Sequence, residues 1–471
     1  MIIIDKIYID GAFVTPQGTE MFDLFNPATA QVIGQVRLGD ASDTHAAIAA
    51  AKRAFPAFSQ TGKVERITLL RRLGDAMQAR AADLTEAVIT EYGAPVSASA
   101  WMADYAAGAF HLAAQILETY EFTRQVGTAH VTMEPLGVVG LITPWNANAL
   151  FICQKLSMVI ASGSTCVIKP SEMSAMQTQI VAEALHDAGV PAGVFNIVNG
   201  RGDVVGAAIS ASKDIAKISF TGSTATGRAI LRAGAETMQR VTLELGGKSP
   251  TVILEDADIA QAIPFALAAG FGNNGQACIA GTRILVPRAR LADFEAGFKA
   301  AAELVQSGDP RDPKTAIGPM VSARQWERVQ SYIRKGLDEG ATLLTGGEGR
   351  PDGTTDGWYV KPTIFTDVRN DMTIAREEIF GPVLSIIPYG SDEEAIAIAN
   401  DSDYGLHAYV AGSDPARIRA VADRLVAGRV MINGAPMEPL APFGGFKQSG
   451  IGRESGVYGL EAFLEPKAII G

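Results

Sequence analysis

From Val138 onward, short apolar runs alternate with helical stretches, and this alternation limits the possible folds more than any other feature of the chain. Continuous apolar strands joined by helices predict an α/β fold, in which a parallel sheet is covered by helices on both faces. A nucleotide would bind at the carboxyl ends of such strands. The predicted strands are Val138–Thr143, Thr165–Lys169, Val194–Val198, Ala216–Phe220 and Val241–Glu244. The predicted helices between them are Ala147–Ala161, Met176–Ala188, Val204–Ile209 and Ala225–Ala235.

The alternation restarts after Glu244 and predicts a second α/β domain. A chain of 471 residues is long enough for two or three domains. Within this second part, Asp309–Gly318 and Gly346–Gly357 have the composition of loops. The predicted strands are Thr251–Leu254, Arg283–Val286, Val383–Pro388, His407–Val410 and Arg429–Ile432.

The part of the chain before the first predicted sheet has a helical pattern. Ser42 is the predicted N-cap of a helix over Ala46–Phe55. Apolar residues recur at helical spacing from Ile67 to Val88, and a further helix is predicted over Ser97–Tyr120.

Two segments outside the main sheets have the pattern of edge strands. Phe122–Glu134 alternates polar and apolar residues as a strand pair does, and the tail Leu464–Ile470 is also strand-like. Because edge strands offer unpaired backbone groups, these segments could pair with another subunit.

Composition excludes several classes of function. The net charge of −11 argues against a nucleic-acid partner, because phosphate binding requires a surplus of Lys and Arg. The uncharged stretches Leu136–Gln154 and Ile259–Thr282 contain proline and asparagine, which argues against membrane spans. Three cysteines and the absence of a signal-peptide pattern favour a cytoplasmic protein.

Common hydrolase and metal motifs are absent. There is no G-x-S-x-G or H-E-x-x-H sequence, and the five histidines lack metal-ligand spacing, so no metal site is expected. A general base is therefore expected to be a carboxylate. Gly202 and Gly206, and likewise Gly222-Ser223, each follow a strand and open a helix, where backbone N–H groups suit a phosphate.

One cysteine stands in unusual surroundings. An isolated cysteine is more often a small buried residue than a nucleophile, but Cys278 lies in the glycine- and amide-rich run Phe271–Arg283. The acid Glu244 ends a buried strand just before the paired glycines of Gly246-Gly247. These surroundings favour a functional role for both residues over simple burial or surface placement.

At these residues the chain resembles the aldehyde dehydrogenase superfamily, in its soluble bacterial form that does not use coenzyme A. The L-E-L-G-G-K-S-P and G-Q-x-C runs resemble the two active-site signatures of that family. The resemblance extends over nearly the whole chain. It is carried further by Thr143-Pro-Trp-Asn146, Ile168-Lys-Pro-Ser-Glu172, Phe220-Thr-Gly-Ser223, Glu377-Glu-Ile-Phe-Gly-Pro-Val383, Asn400-Asp-Ser-Asp-Tyr-Gly-Leu406 and Pro442-Phe-Gly-Gly-Phe-Lys-Gln-Ser-Gly450.

The resemblance implies NAD-dependent oxidation of an aldehyde to a carboxylic acid. Cys278 would attack the carbonyl, the Asn146 amide would stabilise the oxyanion, and Glu244 would activate water against the thioester. It implies a Rossmann-type NAD-binding domain (1–120 and 136–245), a catalytic α/β domain (246–445) and a small β bridging and oligomerisation element (121–135 and 455–471). A dimer or tetramer is expected.

The resemblance also implies a set of cofactor contacts. Glu172 would accept hydrogen bonds from ribose hydroxyls and repel a 2′-phosphate, so NAD is expected in preference to NADP. The full set implied for cofactor binding is Trp145, Lys169, Ser171, Glu172, Gly202, Gly206, Phe220, Gly222, Ser223, Leu245, Glu378 and Phe380.

Two departures from the family pattern concern the substrate. Ala147-Asn148 stand where many relatives have Phe-Pro, and Gln154 stands where many have tryptophan. Both changes remove aromatic bulk, so a substrate larger than acetaldehyde is expected. No arginine stands out as a clamp for a substrate carboxylate.

Two other functions compete with this interpretation. A coenzyme A-acylating relative would release an acyl-CoA, but a water-activating Glu244 would instead hydrolyse the acyl group to the acid. A non-catalytic protein built on the same fold would not need Cys278, Glu244 and Asn146 together.

Overall fold

The computed structural model describes residues 1–471. The chain contains twenty-three strands, many of them only two to five residues long. In chain order they are β1 (Ile2–Ile4), β2 (Ile7–Ile9), β3 (Ala12–Val14), β4 (Met21–Asn26), β5 (Gln31–Arg37), β6 (Thr123–Val126), β7 (Ala129–Pro135), β8 (Val138–Ile142), β9 (Thr165–Lys169), β10 (Phe195–Ile197), β11 (Lys217–Thr221), β12 (Arg240–Glu244), β13 (Pro250–Ile253), β14 (Arg283–Pro287), β15 (Thr342–Thr345), β16 (Thr363–Thr366), β17 (Val383–Tyr389), β18 (Tyr404–Gly405), β19 (His407–Ala411), β20 (Arg429–Ile432), β21 (Phe446–Lys447), β22 (Gly450–Ile451) and β23 (Leu464–Ile469).

Fifteen α-helices accompany these strands. In chain order they are α1 (Ala41–Phe58), α2 (Lys63–Ala79), α3 (Ala81–Glu91), α4 (Val96–Thr119), α5 (Asn148–Ser162), α6 (Ala175–Asp187), α7 (Ala207–Ala211), α8 (Thr224–Ala235), α9 (Ile259–Phe271), α10 (Leu291–Glu303), α11 (Ala323–Asp338), α12 (Thr373–Arg376), α13 (Asp392–Asn400), α14 (Pro415–Ala422) and α15 (Gly456–Glu461). None of them is long and apolar enough to cross a membrane.

The first large sheet has eight strands in the order β22-β12-β11-β8-β9-β10-β2-β3. Its five central strands, β12 to β10, are parallel. The chain builds outward from β8 through β9 and β10, then returns to the other side of β8 for β11 and β12. This reversal between β8 and β11 is the switch point at which doubly wound sheets bind ligands.

Both faces of this sheet are buried, as the continuous apolar strands predict. Along β8, Val139 and Leu141 pack into one apolar core while Val138 and Ile142 pack into another. Because successive side chains of a strand point to opposite faces, a strand buried on both sides needs apolar residues at every position.

The second large sheet has seven strands in the order β15-β16-β17-β14-β13-β19-β20, all parallel except for the β15–β16 pair. The two-sheet α/β fold is therefore confirmed. All ten strands predicted for the two sheets are present, each within one residue at either end.

A separate three-stranded antiparallel sheet has the order β23-β7-β6. The predicted strand pair forms β6 and β7, and the tail forms β23, which pairs with β7 of the same chain. Strand β6 lies at the edge, and all its residues are exposed.

The prediction of a helical N-terminal part is wrong for its first 37 residues, which form β1 to β5. Strands β2 and β3 join the edge of the eight-stranded sheet, where β2 pairs with β10 about 190 residues later in the sequence. Strands of three residues carry too little pattern to be recognised, and their stability comes from these distant partners.

The predicted N-cap Ser42 is also wrong, because Asp40 caps α1. Its carboxylate accepts hydrogen bonds from the backbone N–H groups of Ser42 and Asp43, and Asp43 closes a capping box by accepting from the N–H of Asp40. The predicted helix over Val204–Ile209 is a π-helical turn at Gly202–Gly206 followed by α7. Strands β15 and β16 were not predicted.

Candidate active site

A five-residue connection brings the two large sheets together. Glu244 ends β12 at the carboxyl edge of the first sheet, and β13 begins the second sheet at Pro250. The loop that carries Cys278 precedes β14, the parallel neighbour of β13, so it lies at the amino edge of the second sheet. The residues that end β12 and the residues that precede β14 therefore face one another across the same cleft.

The paired glycines in this connection allow very close packing. A Cβ atom on Gly247 would lie 2.3 Å from the carbonyl oxygen of Cys278, and one on Gly246 would lie 2.6 Å from a carboxylate oxygen of Glu378. Only glycine fits at both positions. The sequence L-E-L-G-G therefore seats the cysteine loop directly against the end of the first sheet.

The turn before Cys278 is held by amide side chains. Asn273 and Asn274 both have left-handed backbone conformations, with φ of 54° and 60°, which asparagine tolerates better than most residues. The Asn274 amide donates to the carbonyl of Gly93 at 3.1 Å and accepts from the N–H of Gly318 at 2.7 Å. The Tyr92 hydroxyl donates to Asn273 Oδ1 at 2.9 Å. These bonds fix the backbone that presents the thiol.

Asn146 is buried and tied to the same loop. The side-chain Nδ2 of Asn146 donates to the backbone carbonyl of Gln276 at 2.9 Å. The backbone carbonyl of Asn146 accepts from Asn273 Nδ2 at 3.2 Å. An amide nitrogen carries two hydrogens, and only one is used here. The structure thus brings Asn146 and Cys278 together, and both line one cavity.

The Cys278 thiol is partly buried, and its pKa is raised to about 12. Burial is the main cause, and the nearby carboxyl groups of Glu378 and Glu244 add to it. The backbone N–H groups of Cys278 and Ile279 act in the opposite direction by favouring the thiolate. In this state the sulfur is largely protonated at neutral pH. By contrast, Cys153 and Cys166 are completely buried in the core.

Glu244 is buried at the end of β12, and neither of its carboxylate oxygens has a hydrogen-bond partner. Burial and the neighbouring carboxylate of Glu454 raise its pKa well above the ordinary value, while the charge of Lys155 opposes this shift. A buried acid without partners is costly for folding, which points to a chemical role. Its surroundings therefore favour the protonated form more than those of an exposed carboxyl group do.

The cavity beside Cys278 has a volume of about 320 Å³ and is mostly apolar. Ala147 and Gln154 both line it, as expected for positions that set its width. Aromatic bulk is supplied instead from other positions, namely Trp101, Tyr105, Phe151, Tyr409 and Phe443. A cavity of this size accommodates a small organic molecule.

On the other side of the cleft, the segment after β9 presents a carboxylate between two cations. Lys169 Nζ lies 3.2 Å from one oxygen of Glu172, and Arg201 lies 3.8 Å from the other. Ser171 caps the short helical turn by accepting from the N–H of Met173. Glu172 is therefore fixed at the carboxyl end of β9 while part of its side chain remains exposed.

The glycine-rich turns after β10 and β11 leave space for a ligand. No heavy atom lies within 4 Å of the position that a Cβ on Gly202 would occupy, and the nearest to that of Gly206 are at 3.9 Å. Ser223 caps α8, whose first N–H groups have no partner within the helix. The ring of Phe220 folds over Gly222, and the buried hydroxyl of Thr221 has no partner.

The remaining predicted contacts lie where the two sheets meet. Leu245 packs against Gly227 of α8. Glu378 accepts a hydrogen bond from the N–H of Gly247 at 3.0 Å, and burial raises its pKa. Phe380, with a φ of 63°, meets Trp145 edge to face with ring centroids 5.4 Å apart. Ten of the twelve residues predicted for the cofactor thus lie at or just after the carboxyl ends of β8 to β12, and Glu378 and Phe380 contact this edge from the segment before β17.

These residues fit a dinucleotide. An open glycine turn and a helix N-terminus suit phosphates, and a fixed carboxylate suits a ribose. No group of three or more His, Cys, Asp or Glu side chains is arranged to hold a metal ion.

Several residues that build the site were not predicted. The turn at Asn273 and Asn274 could have been predicted from the sequence, because an Asn-Asn-Gly run is typical of left-handed turns. The contribution of Tyr92 could not be found, because it acts through contacts some 180 residues away in the sequence. Arg429 and Tyr105 also line the cavity, although no arginine was expected there.

Comparison with known proteins identifies the family. A model of the aldehyde dehydrogenase family matches residues 13–469. A 3-succinoylsemialdehyde-pyridine dehydrogenase from a Pseudomonas species is 45% identical over 99% of this chain and 98% of its own. The chain belongs to the aldehyde dehydrogenase family, and it is an oxidoreductase that converts an aldehyde to a carboxylic acid. The coenzyme A-acylating alternative gains no support.

Solved structures agree with this assignment. Aldehyde dehydrogenase C from Pseudomonas syringae, a cysteine-to-alanine mutant in complex with NAD⁺ and octanal, has a TM-score of 0.98 and 45% identity, covering 99% of this chain and 96% of its own. The NAD⁺ complex of aldehyde dehydrogenase from Bacillus cereus has a TM-score of 0.95 and 39% identity, with the same coverage.

Proposed function

We propose that this enzyme uses NAD to oxidise an aldehyde larger than acetaldehyde, with Cys278 as nucleophile, Asn146 as oxyanion donor and Glu244 as general base. The observation that carries the proposal is the convergence of the Cys278 thiol and the Asn146 amide on one cavity of about 320 Å³. The unpartnered carboxyl group of Glu244 lies close enough to raise the thiol's pKa.

The first step forms a bond between the Cys278 sulfur and the carbonyl carbon of the aldehyde. The carbonyl oxygen becomes an oxyanion, which accepts hydrogen bonds from the free hydrogen of Asn146 Nδ2 and from the Cys278 N–H. Preorganised donors of this kind each contribute on the order of 10²–10³ in rate. When bound, NAD would favour loss of the Cys278 thiol proton to water through its positive charge, and it would accept the hydride that the former carbonyl carbon loses as the thioester forms.

The second half of the reaction is hydrolysis of the thioester on Cys278. Glu244, in its ionised form, takes a proton from water as the water oxygen attacks the acyl carbon. The carbon–sulfur bond then breaks, the carboxylic acid leaves and the thiol is restored. A carboxylate with a raised pKa is a stronger base than an ordinary one, which suits this task.

The preference for NAD is proposed to lie with Glu172. Its carboxylate, fixed by Lys169, can accept hydrogen bonds from both ribose hydroxyls, whereas a 2′-phosphate in the same place would meet a negative charge. The remaining predicted contacts along the cleft are proposed to hold the rest of the dinucleotide.

The proposed domain division follows the sheets. Residues 1–120 and 136–245 supply most of the first sheet and would bind NAD, residues 246–445 carry the second sheet, and residues 121–135 and 455–471 would form the bridging element. Strand β22, at Gly450–Ile451, lies between these segments and pairs with β12 of the first sheet.

A larger substrate is supported by the cavity and by the relatives. Ala147 and Gln154 leave the cavity open, and its walls are mostly apolar. One relative is named for an aldehyde that carries a pyridine ring, and a solved relative holds octanal.

The proposed function is tested by mixing the purified enzyme with NAD and an aldehyde, without coenzyme A. We expect NADH and carboxylic acid to form in equal amounts. We also expect kcat/KM for octanal to be at least about 10-fold above that for acetaldehyde, because each added methylene contributes binding free energy in an apolar cavity. Replacing NAD by NADP is expected to lower kcat/KM. A requirement for coenzyme A, or a preference for acetaldehyde or for NADP, would contradict the corresponding part of the proposal.

Self-association through the small sheet is also proposed. Strand β6 is an exposed edge that carries the exposed Val126, and Ile469 is exposed on β23 on the other side of β7. A dimer or tetramer would cover this edge. We expect light scattering at micromolar concentration to give a multiple of the 49.5 kDa chain mass, and a monomeric mass would overturn the proposal.

A further inference from the structure

The substrate cavity contains polar groups that the proposed chemistry does not use. Apart from Cys278, Asn146 and Asn273 near the nucleophile, the main polar side chains in its wall are those of Tyr105, Gln154, Tyr409, Arg429 and Ser455. The Tyr409 hydroxyl donates to the backbone carbonyl of Ile279 at 3.0 Å. Gln154 Nε2 donates to Ser455 Oγ at 3.3 Å, so these two satisfy each other. Tyr105 and Arg429 remain to be explained.

Arg429 begins β20, the edge strand of the second sheet, and is half-buried. Its guanidinium donates to the backbone carbonyls of Pro442 at 3.0 Å, Ala441 at 2.6 Å and Glu438 at 3.3 Å. One Nη1 hydrogen points to the sulfur of Met437, a weak acceptor. A guanidinium has five N–H donors, so at least one is left without a strong acceptor in the protein.

No carboxylate forms an ion pair with Arg429, although most of the other arginines have such a partner. The charges of Glu244 and Glu438 act on it only from beyond ion-pair distance. The exposed Glu438 carboxylate accepts from the backbone N–H of Leu440 instead, and burial raises the pKa of Glu244. A partly buried cation in an apolar cavity without a counter-ion attracts an anion strongly, because water screens it little.

Tyr105 offers a second donor on the same wall. It lies on α4, seven residues after Ala98 and four after Trp101, so the same face of the helix lines the cavity. Its hydroxyl has no hydrogen-bond partner in the protein, and the charge of Arg429 opposes the rise in pKa that burial causes. The two donors thus line the same cavity.

These donors lie away from the Asn146 end of the cavity. Arg429 Nη1 points to the sulfur of Met437, which is 41% exposed, and the ring of Tyr105 lies 5.3 Å from that of Trp101, which is 48% exposed. Asn146, by contrast, is only 7% exposed. An aldehyde that reacts at Cys278 would therefore reach Tyr105 with its distal end, after a stretch of apolar wall.

We propose that the enzyme's substrates are ω-oxo acids, aldehydes whose far end carries a carboxylate, and that Arg429 and Tyr105 bind this carboxylate. The inference rests on the proposed function. The apolar wall between the nucleophile and these donors accommodates the methylene chain, and the oxygens of the carboxylate accept from the free guanidinium hydrogen and the tyrosine hydroxyl. Arg429 determines substrate specificity and takes no part in the chemistry at Cys278.

The test compares ω-oxo acids with n-alkanals of the same chain length, from four to eight carbons, in the presence of NAD. We expect kcat/KM for the oxo acid to exceed that for the alkanal at the best length. Arg429→Gln is expected to lower the ratio of oxo acid to alkanal by about 10- to 100-fold, as loss of a charged hydrogen bond does. Tyr105→Phe, which leaves the Arg429 loop intact, should lower the ratio by about 3- to 10-fold.

Arg424→Gln provides a matched control, because Arg424 is an exposed arginine paired with Glu393 outside the cavity, and its ratio should equal that of the wild type. A wild-type preference for the alkanal at every length would overturn the proposal. The proposal would also be overturned if Arg429→Gln lowered kcat/KM equally for both substrates and Tyr105→Phe left the ratio unchanged. Arg429 would then serve only to stabilise its loop. Absence of turnover with either substrate class would instead count against the proposed function.

Discussion

Replacement of Cys278 by alanine is expected to lower kcat for aldehyde oxidation by on the order of 10⁴-fold or more, because removing a covalent nucleophile eliminates the intermediate on which every later step depends. The side chain is small and lies at a cavity, so its loss should leave the fold intact. The rate of NADH formation, measured at saturating NAD and aldehyde, checks this prediction. Turnover that survives the substitution would refute the mechanism.

The chain provides its own control for this experiment. Cys153→Ala removes a thiol that is completely buried in the core and whose pKa burial raises strongly. A buried thiol of this kind is inert, so Cys153→Ala should keep most of the activity. Binding of NAD and of octanal should persist in Cys278→Ala, since a solved relative with a cysteine-to-alanine substitution holds both. Loss of binding in Cys278→Ala would mean that the thiol is structural.

The two large sheets could be predicted because their strands are buried on both faces. Every position of β8 must then be apolar, and this produces a run that is visible in the sequence. Strands β1 to β5 lack that signal, because they are short or exposed on one face. Their partners, such as β10 for β2, are distant in the sequence, so the pairing energy that stabilises them cannot be found locally.

The catalytic residues could be predicted for a different reason. Glu244 and Cys278 stand in runs whose glycines and amides serve the close approach of two loops, and such runs are distinctive. The wall of the cavity is assembled from separate elements, with four residues from α4, three from α5 and one each from β19 and β20, and no local pattern marks them as neighbours. Arg429 was therefore overlooked, because only the three-dimensional structure reveals that it lacks a counter-ion.

Replacement of Glu244 by glutamine is expected to separate the two halves of the reaction. Glutamine keeps the size of the side chain but cannot accept a proton from water, so hydrolysis of the thioester should slow by roughly 10²–10⁴-fold. Attack by Cys278 and formation of NADH do not need this base. Rapid mixing should therefore give a burst of NADH equal to the number of active sites, followed by a slow steady state, whereas Glu236→Gln, at an exposed position, should behave as the wild type.

The same substitution is expected to change the pH dependence of the steady-state rate. The ionised form of Glu244 is the active base, and burial raises its pKa well above the ordinary value, so wild-type hydrolysis should increase as pH rises through that raised pKa. In Glu244→Gln this increase should disappear from the steady-state rate. If the burst slows as much as the steady state does, Glu244 acts on the thiol before acylation. The Glu244 carboxyl group interacts electrostatically with both the Cys278 thiol and the Lys155–Glu454 pair, so it could act at either stage. The burst amplitude decides between the two stages.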